Sequence, residues 1–215
     1  MSVIISSHSP DAITRAVDVL NSGGLVGLPT ETVYGLAARA DNDEAVAKIY
    51  IAKGRPSGHP LILHISDISE LHRYAARIPH AALALAQQCL PGPLTLLLHK
   101  TSEVSHVVTG GRDTVAIRVP ANDCARKIID LCGHAIAAPS ANVFGHVSPS
   151  TAQHVYDDLG DRVDLIVDDG NCSIGVESTI IDFTASHPQL LRPGGFPVED
   201  IESIIGEKVY EPSGH

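Results

Sequence analysis

Gly23-Gly24-Leu25-Val26-Gly27-Leu28-Pro29 is the stretch on which the fold turns. The glycine pair closes a helical segment, Leu25-Val26-Gly27-Leu28 is a short apolar run of the kind that forms a buried strand, and Pro29 opens a loop. Upstream, Ser9-Pro10 precedes apolar residues at helical spacing over 11–20, with serine as N-cap and proline in the first turn. Downstream, Pro29-Thr30-Glu31-Thr32-Val33-Tyr34-Gly35 reads as loop, and 43–52 is helical again until Lys53-Gly54-Arg55-Pro56 stops it. Helix, buried strand and helix in succession point to an α/β fold.

The alternation continues to the far end. Strands are predicted at 60–65, 94–99, 114–119, 135–138, 163–167, 178–183 and 189–192, with a Gly110-Gly111 turn between the second and third of these. Helices are predicted at 75–90, ending at Pro91-Gly92-Pro93, and at 122–132, 151–159 and 197–205. The expected architecture is one α/β domain over 1–207, a twisted mixed sheet flanked by helices, followed by a flexible tail at 208–215. No repeat of fixed period and no low-complexity block interrupts it.

Composition narrows the function. With 215 residues, 44% hydrophobic and 19% charged, the chain can bury a full core. A net charge of -10 argues against gripping nucleic acid over a broad surface, while leaving room for a small basic pocket in an acidic shell. Cys89, Cys124, Cys132 and Cys172 form no CxxC pair and read as structural thiols. The 12 histidines show no metal-ligand spacing, so no metal site is expected. Residues 1–10 lack the basic stretch and apolar core of a secretory signal, and no apolar run nears the ~18 residues that span a bilayer, so a cytoplasmic location is expected.

Three groups of residues carry chemistry. Lys53-Gly54-Arg55-Pro56-Ser57-Gly58-His59-Pro60-Leu61 sets two cations at a helix end. They either complement the helix dipole or meet an anion. Ala137-Ala138-Pro139-Ser140-Ala141-Asn142, with Ser148-Pro149-Ser150-Thr151 beyond it, combines small residues with hydroxyls near a helix start, suited to phosphate oxygens or to plain N-capping. The third group is scattered: Arg112-Asp113-Thr114 leading to Ile117-Arg118-Val119, then Glu177-Ser178-Thr179, then Leu191-Arg192-Pro193-Gly194-Gly195. Arg118 in an apolar strand needs an anion, whether a ligand or a carboxylate such as Asp113 or Glu31. No P-loop, no Rossmann fingerprint and no Gly-x-Ser-x-Gly elbow occurs, so the pattern favours catalysis by positioning over covalent acyl transfer.

In order, from Gly24-Leu25-Val26-Gly27-Leu28-Pro29-Thr30-Glu31-Thr32-Val33-Tyr34-Gly35-Leu36 to Leu191-Arg192-Pro193-Gly194-Gly195, these segments resemble the YrdC/YciO family of threonylcarbamoyl-adenylate synthases. The resemblance implies a concave basic pocket that seats ATP beside L-threonine. By motif, Thr32, His64, Arg118, Ala138 and Ser178 match the threonine contacts, and Arg55, His59, Thr114, Ser140, Ser148 and Arg192 the nucleotide contacts. Lys53 matches the phosphate-side lysine and, with Arg55, would serve catalysis. His59 stands where many relatives have asparagine. The chain looks like the short form, without the further C-terminal domain of some members.

The implied reaction joins L-threonine, bicarbonate and ATP into threonylcarbamoyl-AMP and pyrophosphate, for threonylcarbamoyladenosine in tRNA. Magnesium would arrive on the triphosphate, a downstream tRNA threonylcarbamoyl transferase would take the product, and contact with tRNA itself would be weak or indirect. A non-catalytic RNA-binding module and a related carbamoyl-adenylate enzyme are the alternatives.

Overall fold

The computed structural model describes residues 3–212. In chain order its elements are β1 (Val3–Ser6), α1 (Ala12–Asn21), β2 (Val26–Leu28), β3 (Gly35–Arg39), α2 (Asp43–Lys53), β4 (Ile62–His64), α3 (Leu71–Tyr74), β5 (Ala75–Ala76), α4 (His80–Cys89), β6 (Leu94–Lys100), α5 (His106–Thr109), β7 (Thr114–Arg118), α6 (Asp123–Cys132), β8 (Ile136–Ala137), α7 (Ala152–Leu159), β9 (Leu165–Asp168), β10 (Thr179–Asp182), β11 (Gln189–Arg192) and α8 (Val198–Ile205).

Local chemistry sets the helix limits. The side chains of Asn42 and Asn122 accept from the amides of Ala45 and Ala125, capping α2 and α6, and left-handed Gly54 and Gly133 end them. On α6, Ala125, Ile128, Ile129 and Cys132 are buried at helical spacing. The α1 start differs from expectation: the helix begins at Ala12 after Asp11, and Ser9 contributes its carbonyl to the Ala12 amide, not its hydroxyl as a cap.

The strands form one mixed sheet in the order β1-β9-β2-β3-β8-β4-β7-β6-β10-β11, with β5 paired to β6. Parallel pairs join β1 to β9, β9 to β2, β4 to β7 and β6 to β10; the other pairs are antiparallel. Helices cover both faces. Because strand side chains alternate, Leu36 and Ala38 enter one core with α2, α4, α7 and α8, while Ala37 enters the other with α1 and α6. Among the described residues no helix is long and apolar enough to cross a membrane.

Three expectations need correction. Gly35, read as the end of the loop, opens strand β3, and 36–39, which carried no predicted element, continues it, because pairing on both sides and the burial of Leu36, Ala37 and Ala38 override the weak strand preference of the alanines. The helix expected over 75–90 is split: Ala75–Ala76 pairs with β6, and the helix starts at His80, since Pro79 bars the preceding residue from helical backbone. The tail is tied down further than expected. Val209 packs on the core and donates its amide to Glu202, and Tyr210 exchanges backbone hydrogen bonds with 188–190; residues 213–215 of the expected tail lie outside the described residues.

Candidate functional site

The sheet delivers its chemistry at strand ends. His64 and Arg118 are register partners at the ends of the parallel strands β4 and β7. Ser178 immediately precedes β10, Arg192 ends β11, and Ser140 follows β8, bridging back to Gly35 at the start of β3. Arg55 lies just past α2. These ends surround a cavity of about 330 Å³ lined by Arg55, His59, His64, Arg118, Ala138, Ser140, Ser178 and Arg192 among the sequence-predicted residues. That volume falls at the lower edge of the roughly 300–1,000 Å³ typical of small-molecule sites. Gly35, Pro139 and Glu177 also line it.

One end of the cavity is rigid and deep. Arg118 is 4% exposed and donates to Glu31 Oε1 at 2.5 Å, Thr32 Oγ1 at 2.8 Å and the Gly92 carbonyl at 3.1 Å, which leaves one N–H free on each terminal nitrogen. Glu31 is the carboxylate partner that the strand arginine requires, and its second oxygen accepts from the Ala121 amide at 2.9 Å. Thr32 therefore stands behind Arg118 and does not line the cavity. Burial, reinforced by the Arg118 charge, pushes the His64 imidazole down to about 3. It is neutral at physiological pH, and its Nδ1 lies 3.3 Å from the Ile62 carbonyl, which can only accept. The proton is thereby assigned to Nδ1, leaving Nε2 as an acceptor.

The other end is half-open. Arg55 donates to the carbonyls of Pro60 at 2.9 Å and His59 at 3.4 Å, and its guanidinium lies over Phe144 at 5.6 Å. His59 meets the same ring edge-on at 5.3 Å. Arg192 donates to the Ser178 carbonyl and hydroxyl, each at 3.0 Å, and pairs with Glu177 at 3.5 Å. Ser148 is turned away from the cavity lining and donates to Glu177 at 2.7 Å. The helix cap that Ser148 or Ser150 could have supplied belongs to Thr151, which accepts from His154. Gly194 makes the Arg192 turn possible: a Cβ there would meet the Glu177 oxygen at 2.3 Å and the Thr179 nitrogen at 2.5 Å, so only glycine lets the two backbones touch.

The cations from separate segments feel one another. Burial lowers the Arg55 and Arg192 guanidinium pKa values; Arg192 adds to the lowering of Arg55 and Arg118 to that of Arg192, with Glu177 opposing in both cases. The lysine is placed differently from expectation. Lys53 is 1% exposed and does not line the cavity; its ammonium donates to the carbonyls of Ser140 at 2.5 Å and Asn142 at 2.6 Å. Thr114 opens β7, at the opposite end of that strand from Arg118, and is likewise outside the lining. Among the described residues no group of three or more His, Cys, Asp or Glu is arranged to hold a metal ion, and all four cysteines are free thiols.

A family model named for Sua5, YciO and YrdC, and described as "Telomere recombination", matches residues 18–194. The chain belongs to the Sua5/YciO/YrdC family. Among its relatives, a threonylcarbamoyl-AMP synthase of Pyrococcus abyssi (strain GE5 / Orsay) is 50% identical over 201 residues, covering 94% of this chain and 59% of the relative. One of Bacillus subtilis (strain 168) is 48% identical over 203 residues, covering 94% and 58%. The crystal structure of P. abyssi Sua5 complexed with L-threonine superposes with a TM-score of 0.94 at 47% identity, over 99% of this chain and 63% of that one. The chain thus spans somewhat under two thirds of the length of these relatives, and Sua5/YciO/YrdC membership accounts for the mixed sheet and for the order of its motifs.

Two features of the site were not singled out from the sequence. Phe144 is the platform beneath Arg55; the signal in the sequence is a phenylalanine, one of only 3, set before Gly145-His146 outside any apolar run. Glu177 is the carboxylate that faces the cations, whereas its sequence context shows only a polar group at a strand start.

Proposed function

We propose that the chain is an L-threonylcarbamoyladenylate synthase, converting ATP, L-threonine and bicarbonate to threonylcarbamoyl-AMP and pyrophosphate. The observation that carries this reading is the convergence of Arg55, Arg118 and Arg192, from separate segments, on one cavity with a closed end and an open end. The relatives' names and the threonine-bound Sua5 structure support it.

Threonine takes the closed end, its carboxylate on the free donors of Arg118 and its ammonium or hydroxyl toward the His64 acceptor, with Ala138 and Ser178 alongside and Thr32 fixing Arg118 from behind. ATP takes the open end, its phosphates on Arg55 and Arg192, with His59, Ser140 and, once Glu177 moves, Ser148 available to the nucleotide. Thr114 and Lys53 act at a remove. The amine, once deprotonated, bonds to the carbon of carbon dioxide released with hydroxide from bicarbonate, and the proton that the nitrogen then loses converts that hydroxide to water, leaving the carbamate. A carbamate oxygen then bonds to the α-phosphorus as the bond to the bridging oxygen breaks, and pyrophosphate leaves with that electron pair. No protein nucleophile takes part; the chain aligns two anions and offsets the charge on the phosphates. Magnesium enters on the triphosphate as part of the substrate. The product would be consumed by a transferase acting on tRNA, in keeping with a cytoplasmic site of action.

Incubation with ATP, labelled bicarbonate and each amino acid in turn tests the reading. The expected outcome is a labile labelled adenylate and pyrophosphate, both requiring threonine. Pyrophosphate release that ignores the amino acid would overturn it.

A further inference from the structure

The Lys53 ammonium is where a phosphate contact was expected, yet both short hydrogen bonds it makes are to backbone carbonyls of the loop after β8. The Lys53 carbonyl also accepts from the Phe144 amide at 2.8 Å, so the last residue of α2 grips 140–144 from two directions. That loop supplies Ser140 to the cavity and Phe144 to the face of Arg55. Its earlier part is tied to β3 through the amides of Leu36 and Ala141, which leaves the stretch from Asn142 onward dependent on Lys53, on the Asp158 carboxylate at the Val143 amide, and on the Asn142 side chain.

We propose that Lys53 is a positioning residue, which holds the 140–144 loop so that Ser140 and the Phe144 ring face the nucleotide, and that it does not itself contact phosphate. This rests on the reading of the open end as a nucleotide site. A buried lysine is costly to keep charged: burial and the neighbouring Arg55 push its ammonium down to about 8, against the opposing pull of Glu177 and Asp158. Bonds from two of its three donors to carbonyls offset much of that cost, and at 1% exposure the group is poorly placed to reach a phosphate. The consequence differs from that of a phosphate ligand. A charge on the phosphates matters more as phosphates are added, whereas a displaced loop wall weakens every nucleotide alike, because Arg55 stays anchored on the Pro60 and His59 carbonyls.

The experiment measures AMP, ADP and ATP binding by calorimetry to the wild-type chain and to Lys53→Met, with amide exchange of 139–144 followed in the ligand-free proteins. The proposal expects faster exchange at Phe144 and a loss of affinity of roughly ten- to a hundredfold, the same for all three nucleotides. A loss that grows with each phosphate, or unchanged exchange in the loop, overturns it. Should Lys53→Met not fold, Lys53→Arg carries the same measurements. Failure of the wild-type chain to bind any nucleotide would count against the proposed function, while the exchange arm would still decide whether Lys53 holds the loop.

Discussion

The two ends of the cavity are built on different principles. At the closed end Arg118 is locked by Glu31, Thr32 and the Gly92 carbonyl before any ligand arrives, and His64 is held neutral by its surroundings. At the open end Arg55 and Arg192 rest on main-chain carbonyls, a ring face and Glu177, partners that a phosphate can replace. On the proposed function, folding energy preorganises the threonine subsite and ligand binding completes the nucleotide subsite. A small zwitterion needs fixed geometry; a flexible, highly charged phosphate chain needs donors that can exchange.

The hardest blow to this contrast would come at Glu31. Glu31→Ala leaves Arg118 buried without its counter-ion and should cost about 3–5 kcal/mol in denaturant unfolding, with threonine binding lost as well. A variant within about 1 kcal/mol of wild type would mean that the closed end is not held by this pair. At the open end the expectation reverses. Arg55→Ala should lower turnover about a hundredfold or more while stability stays within about 1 kcal/mol; a comparable loss of stability would erase the distinction between the ends. The smallest effect concerns pH. His64 titrates near 3 in the folded chain against about 6.5 when unfolded, so the unfolded chain binds the extra proton between those values. The stability tied to the neutral imidazole is present above about 6.5 and is lost as pH falls toward 3. His64→Asn should flatten that part of the acid limb in chemical denaturation, and an unchanged limb would show the ring is better hydrated than its burial implies.

Much of this was legible from the chain alone. Helical spacing with the stop at Gly54 announced α2, a helix was expected over 122–132 where α6 lies, and the motif order brought Arg55, His64, Arg118, Ser178 and Arg192 to one cavity. What escaped was set by tertiary contact. Strand β3 carries consecutive alanines, which on their own favour helix over strand, and becomes a strand through its neighbours. Lys53 is next to Arg55 in the motif, but the end of α2 turns the two side chains to different places, one into the loop carbonyls and one toward the ring of Phe144. A motif gives residue types in order; it does not give the direction each side chain takes once the helix ends.

The pairing of β1 with β9, and of β6 with β10, joins segments separated by well over half and about two fifths of the sequence. During synthesis on a ribosome, the first strand must therefore wait for Leu165–Asp168 to emerge, and Arg192 comes later still. The half-made polypeptide carries the apolar edges of β2 and β6 without their final neighbours, which makes it a natural client for chaperones until the last strands are released.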